Sequence, residues 1–104
     1  MVNLIADYLN GTTYMNQAFQ ATETDSVMGA AMCVVYTLRH KGYTPVCVHE
    51  ISGSYTLEQL ADAEACVSSS DAHLVWCDSV QMQRAAQLTP EERLRAQRWS
   101  QCKG

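Results

Sequence analysis

Between Thr22 and Gly42 the chain carries a full set of helix signals, and they constrain everything around them. Thr22-Glu23-Thr24-Asp25 offers oxygen-bearing N-cap side chains and acids for the first turn, where unpaired backbone N–H groups favour them. Val27, Ala31, Val34 and Leu38, with Met28 and Val35 beside them, form one apolar stripe at helical spacing. Arg39-His40-Lys41 sets positive charge at the C-terminal end, and Gly42 supplies the left-handed stop. A helix that is apolar along one side must bury that side. The flanking segments are patterned as strands, so a sheet is the expected partner.

Upstream, Asn10-Gly11 is a hairpin signal, because a type I′ turn needs positive φ at both central positions. Its flanks, Asn3 to Leu9 and Thr12 to Phe19, contain β-branched and aromatic residues. Leu4, Ala6 and Tyr8 would share one face, with Thr13, Met15, Gln17 and Phe19 alternating on the return. A short helix through Leu4, Ile5, Tyr8 and Leu9, ended by Gly11, is the competing reading. The hairpin is preferred.

Downstream, Thr44 to Ile51 reads as a buried strand entered through Pro45 and broken by Ser52-Gly53-Ser54. Thr56 and Gln59 make a capping box for a helix to about Val67, with Leu57, Leu60, Ala61 and Ala63 inward. Ala72 to Cys77 is a further strand, and Asp78 or Ser79 caps a helix through Val80, Met82, Ala85 and Leu88. Thr89-Pro90-Glu91-Glu92 starts a last helix, running to about Gln101. If the strands at 45–51 and 72–77 neighbour each other, they and the intervening helix form a βαβ-like unit with a right-handed parallel crossover. The expected fold is a small mixed-sheet α/β domain, with α+β as the variant. The hairpin and the βαβ-like unit build its sheet, three to four helices cover it, and residues 1–104 form one domain.

The composition permits such a core. With 47% hydrophobic and 17% charged residues, the chain is outside the disordered class. No apolar run approaches the ~18 residues of a membrane span. The opening Met1-Val2-Asn3-Leu4-Ile5-Ala6-Asp7 lacks the basic region and long apolar core of a signal peptide, so a cytoplasmic location is expected. The five cysteines, Cys33, Cys47, Cys66, Cys77 and Cys102, are odd in number and contain no Cys-x-x-Cys. They read as reduced core residues, with Cys102 the exposed exception.

Charge is uneven. Residues 1–80 hold nine acids against two bases, and residues 81–104 hold two acids against five bases. The basic tail is suited to docking on an acidic surface, its own or a partner's. Arg93, Arg95 and Arg98 surround Trp99 there, and Arg95 and Trp99 are at cation–π spacing. A large aromatic among arginines on a weakly amphipathic helix has the composition of an interface anchor. A solvated helix with Trp99 folded back is the equal alternative. Four clustered bases on a net-acidic chain are a poor nucleic-acid footprint, so direct nucleic-acid binding is not expected.

Three further constellations bear on site chemistry. Strand periodicity puts Cys47 and His49 on one face, and His73, Val75 and Cys77 on one face of the later strand. Cys47, His49, His73 and Cys77 would make a thiolate–imidazole zinc set if those faces met. The spacing matches no usual zinc pattern, and neighbouring strands are expected to spread the four groups apart. Buried cysteines and edge histidines are the ordinary reading, and no cofactor is expected, zinc being the one exception considered. Cys47-Val48-His49-Glu50 does not fit the zinc-deaminase pattern, which needs His-x-Glu and a later Pro-Cys-x-x-Cys. Ser52, Gly53 and Ser54 lie between a strand and a helix, where backbone amides can hold an anion, yet turn chemistry plus a helix cap is the preferred reading.

No motif establishes catalysis. The expectation is a small non-enzymatic interaction or regulatory protein, an inhibitor or adaptor of the kind that phages and mobile elements encode. It would dock on a larger protein or nucleoprotein and self-associate as a dimer. A small-ligand or metal-binding sensor is the alternative, and a Cys- or Ser-dependent enzyme the third.

Overall fold

In a computed structural model the chain is described at residues 2–22, 26–53, 55–63 and 71–80, with positions 67, 83, 87 and 89. The elements run β1 (Val2–Asn10), β2 (Thr13–Ala21), α1 (Val27–His40), β3 (Thr44–Ile51), α2 (Leu57–Ala61) and β4 (Ala72–Cys77). The strands form one sheet in the order β2-β1-β3-β4. All its pairings are antiparallel.

The N-terminal hairpin forms, and its register pairs Asn10 with Thr13. Gly11 and Thr12 are therefore the central turn residues, one position later than Asn10-Gly11 implied. Gly11 has φ +63° and Thr12 does not share a positive φ, the pattern of a II′ rather than a I′ turn. Leu4, Ala6 and Tyr8 face α1 together with Met15 and Phe19, as the alternation predicts.

The α1 helix is capped by Ser26, whose Oγ accepts from the Gly29 N–H at 3.2 Å. That corrects the expected cap among Thr22–Asp25, and no acid stands in the first turn. At the other end Tyr43 N–H reaches Leu38 O at 2.9 Å and Gly42 N–H reaches Arg39 O at 3.0 Å. With Gly42 at φ +85°, this is a Schellman stop. Ala30, Ala31, Val34, Val35 and Leu38 are the buried stripe, while Met28 turns outward. They pack on Leu4, Ala6, Tyr8, Val46 and Val48 of the sheet.

The βαβ-like unit is corrected. The β3 and β4 strands are direct antiparallel neighbours, so the chain between them returns along the same edge and makes no parallel crossover. The Thr56–Gln59 capping box is present and opens α2 at Leu57–Ala61. It covers the opposite face of the sheet at one end, where Leu60 and Ala63 pack on Ile5 and Ile51. Ala61, expected inward, is exposed. Among the described residues there are two helices rather than three to four. The helix expected at 90–101 lies outside them, and that expected at 79–88 lies largely outside. The protein thus combines helices and sheet as expected, with an antiparallel sheet in place of a mixed one. No helix among the described residues is long and apolar enough to cross a membrane.

Two register breaks shape the functional face. Between Asp7 and Tyr8 the β3 partner jumps from Cys47 to Pro45, so Val46 bulges out of the pairing with β1. Pro45, which has no N–H for the ladder, suits such a position. Between Val48 and His49 the β4 partner jumps from Trp76 to Leu74, leaving Val75 as the extra residue. Val75 and Trp76 consequently both pack toward the α1 side, where Arg39 lies 5.8 Å from the Trp76 ring.

Candidate metal centre

One rung of the sheet crosses all four strands. Asn16 pairs with Asp7, Asp7 with Cys47, and Cys47 with Cys77. Paired residues project to one side of a sheet, so this polar row lies on the face turned away from α1. His49 joins it from two positions along β3. Tyr14, beside the hairpin turn, reaches it from β2. One bulge immediately precedes Cys47 and the other lies opposite the Val48–His49 step, a common placement for irregularities that aim side chains at a site.

Asp7 is the hub and is 4% exposed. Its Oδ1 accepts from Tyr14 Oη at 2.5 Å and from Asn16 Nδ2. Its Oδ2 is 3.0 Å from Cys47 Sγ and 3.2 Å from His49 Nε2. Cys47 Sγ and His49 Nε2 are 3.3 Å apart, closing a triangle. Asn16 Oδ1 is buried and has no hydrogen-bond partner among the described residues.

The electrostatics favour a charged Asp7. Burial pushes its carboxyl up, but the contacts from His49, Cys47, Tyr14 and Asn16 together outweigh burial and hold it below its ordinary value of 3.8. A thiol, an imidazole and a buried carboxylate therefore meet at one point.

The triangle discriminates between two chemistries. In a nucleophilic relay the histidine uses one ring nitrogen toward the thiol and the other toward the carboxylate. Here a single nitrogen, His49 Nε2, meets both. The nucleophile would also be buried, since Cys47 is 4% exposed. A shared centre is instead the arrangement of ligands around an ion. Tetrahedral zinc, with bonds of about 2.0 Å to nitrogen and oxygen and about 2.3 Å to sulfur, sets N···O near 3.3 Å and S···N and S···O near 3.5 Å. The N···O and S···N edges, at 3.2 and 3.3 Å, are already close to those lengths. The S···O edge, at 3.0 Å, would open by about half an ångström.

The residues singled out from sequence divide accordingly. Cys47 and His49 stand together, at i and i+2 on one face of β3, where strand periodicity placed them. Cys77 joins their rung across β3–β4. His73 does not, because the extra residue Val75 reverses the alternation of β4 and pairs His73 with Glu50 on the other face. Cys33 and Cys77 are exposed, which corrects their assignment to the core. Ser52 N–H donates to Asp71 O at 3.1 Å and Gly53 O accepts from Asn3 Nδ2 at 3.4 Å, which ties this loop to β1 and to the residue before β4. With an antiparallel sheet it is also not the ligand crevice of an open parallel one. Ser54, Arg93, Arg95, Arg98 and Trp99 lie outside the described residues.

Sequence reasoning missed Asp7, Tyr14 and Asn16. A signal for Asp7 was present: it is the one charged side chain in residues 1–22, set inside the apolar run Leu4-Ile5-Ala6-Asp7-Tyr8-Leu9. A lone carboxylate in a central strand needs partners, and the next strands had to supply them. No known protein family matches the chain, and no curated protein or solved structure does so either.

Proposed function

We propose that this protein binds a zinc-class divalent transition-metal ion through Asp7 Oδ2, Cys47 Sγ and His49 Nε2, and that it acts as a small metal-responsive regulatory protein rather than an enzyme. The carrying observation is the convergence of three different ligand atoms on one point, with edges near those of a zinc tetrahedron. One thiolate, one imidazole and one carboxylate form a donor set suited to zinc and its surrogate cobalt(II). Tyr14 and Asn16 hold the far oxygen of Asp7, the outer-shell support that orients a ligating carboxylate.

Cobalt(II) titration of the reduced protein tests this directly. The expected result is one cobalt per chain with thiolate-to-metal charge-transfer absorption that is lost in Cys47→Ser and weakened in His49→Gln. A titration without charge-transfer absorption would overturn the reading.

A protein-docking role is the second reading, and it is compatible with the first. It is supported by side chains that leave apolar surface outward: Tyr36 on α1 at 64% exposure and Leu74 on β4 at 49%. Light scattering with and without zinc tests whether self-association depends on the metal, and a monomer in both conditions removes the dimer.

A further inference from the structure

Cys47 and Cys77 face each other across β3 and β4. Asp78 N–H donates to Val46 O at 2.7 Å, a bond between the residues flanking that pair. This makes Cys47–Cys77 a non-hydrogen-bonded pair, the kind in which opposite side chains approach most closely and Cα atoms lie about 4.5 Å apart. Disulfides span Cα separations of about 4.4–6.8 Å, so the two sulfurs can join without moving the strands apart. Exposure is asymmetric: Cys77 is at the surface and Cys47 is buried.

We propose that Cys47 and Cys77 form a reversible thiol–disulfide couple, closed by a hydroperoxide and opened again by a small thiol, whose oxidation releases the metal. The Cys77 sulfur, reachable from solvent, attacks a peroxide oxygen. The O–O bond breaks, water leaves, and Cys77 becomes a sulfenic acid. Cys47 Sγ then attacks Cys77 Sγ, and the hydroxyl departs as a second water with the Cys47 proton. Two thiols and one hydrogen peroxide thus give one disulfide and two waters. Cys77 is exposed, so a small thiol can reach the disulfide and exchange with it. Once joined to Cys77, Cys47 has no thiolate to give, and a three-ligand centre falls to two. This last consequence rests on the metal reading above; the disulfide itself does not.

The test has two arms. Reduced, metal-free protein is treated with one equivalent of hydrogen peroxide and digested without reductant. A Cys47–Cys77 linked peptide that dithiothreitol cleaves supports the couple. Oxidised Cys77 with Cys47 still a thiol overturns it. In the second arm, zinc-loaded wild type and Cys77→Ser are oxidised beside a chromogenic chelator. Release of one zinc per chain from the wild type, at a rate at least tenfold that of Cys77→Ser, is the expected result. Equal release from both, or retention of zinc by disulfide-bearing protein, overturns the gating. If no zinc loads at all, the metal reading fails while the first arm still decides the couple.

Discussion

Tyr14 and Asn16, two apart on β2, both donate to the same oxygen of Asp7, leaving its other oxygen to Cys47 and His49. The carboxylate is thereby split into a structural oxygen and a ligand oxygen. Removing a donor from the first should alter the second without touching it.

Tyr14→Phe is the cleanest such change, because it deletes one hydroxyl and leaves the ring in place. The lost bond is to a charged acceptor, so destabilisation of about 1.5–3 kcal/mol is expected in urea melts of the metal-free protein. The Asp7 carboxyl should also rise toward its ordinary value, since Tyr14 is one of the groups holding it down. A midpoint equal to that of the parent would show that the hydroxyl contributes nothing.

Acid should expose the same network. Asp7 is held below 3.8 in the folded chain. Above that value both folded and unfolded chains carry the charge, and the full stabilisation is present. As pH falls below 3.8 the unfolded chain takes up the proton first, so stability declines until the folded carboxyl is protonated as well. Stability of metal-free protein, measured between pH 6 and pH 2, should therefore fall more steeply in the parent than in Asp7→Asn. Parallel curves would place the acid sensitivity elsewhere.

The stop of α1 offers a control remote from the site. Gly42 sits at φ +85°, and a Cβ there would meet nothing within 4 Å. Gly42→Ala therefore costs backbone strain alone, about 1–2 kcal/mol, with metal binding unchanged. Loss of cobalt binding in this variant would mean that the metal signal reports general stability.

How much of this was legible in the sequence depends on the range of the cause. The Gly42 stop, the Thr56–Gln59 box and the hairpin are set by residues within a few positions of one another, and all three formed. Strand partnership is not local. The Ala72–Cys77 strand was readable, but nothing in its six residues says which way it runs beside β3. The site shows the same divide. Cys47 and His49 are neighbours by strand period, whereas Asp7 arrives from a strand forty residues earlier in a register that the bulge at Val46 adjusts. One extra residue, Val75, sends His73 to the other side of the sheet from Cys47, His49 and Cys77, so the four-residue set does not assemble.

Metal binding should itself be pH-dependent in a way that separates the thiolate ligand from the imidazole. Coordination requires Cys47 as thiolate, and the proton now shared toward Asp7 Oδ2 must leave. His49 must present an unprotonated ring nitrogen to the ion, a requirement that Cys47→Ser leaves in place. One displaced proton makes apparent zinc affinity rise about tenfold per pH unit in the range where the thiol is still protonated. Competition against a chelator of known affinity at pH 6.5, 7.0 and 7.5 measures that slope. In Cys47→Ser the residual affinity should be weaker and its slope flatter. A parent slope as flat as the variant's would mean that Cys47 is not a ligand, even if zinc binds.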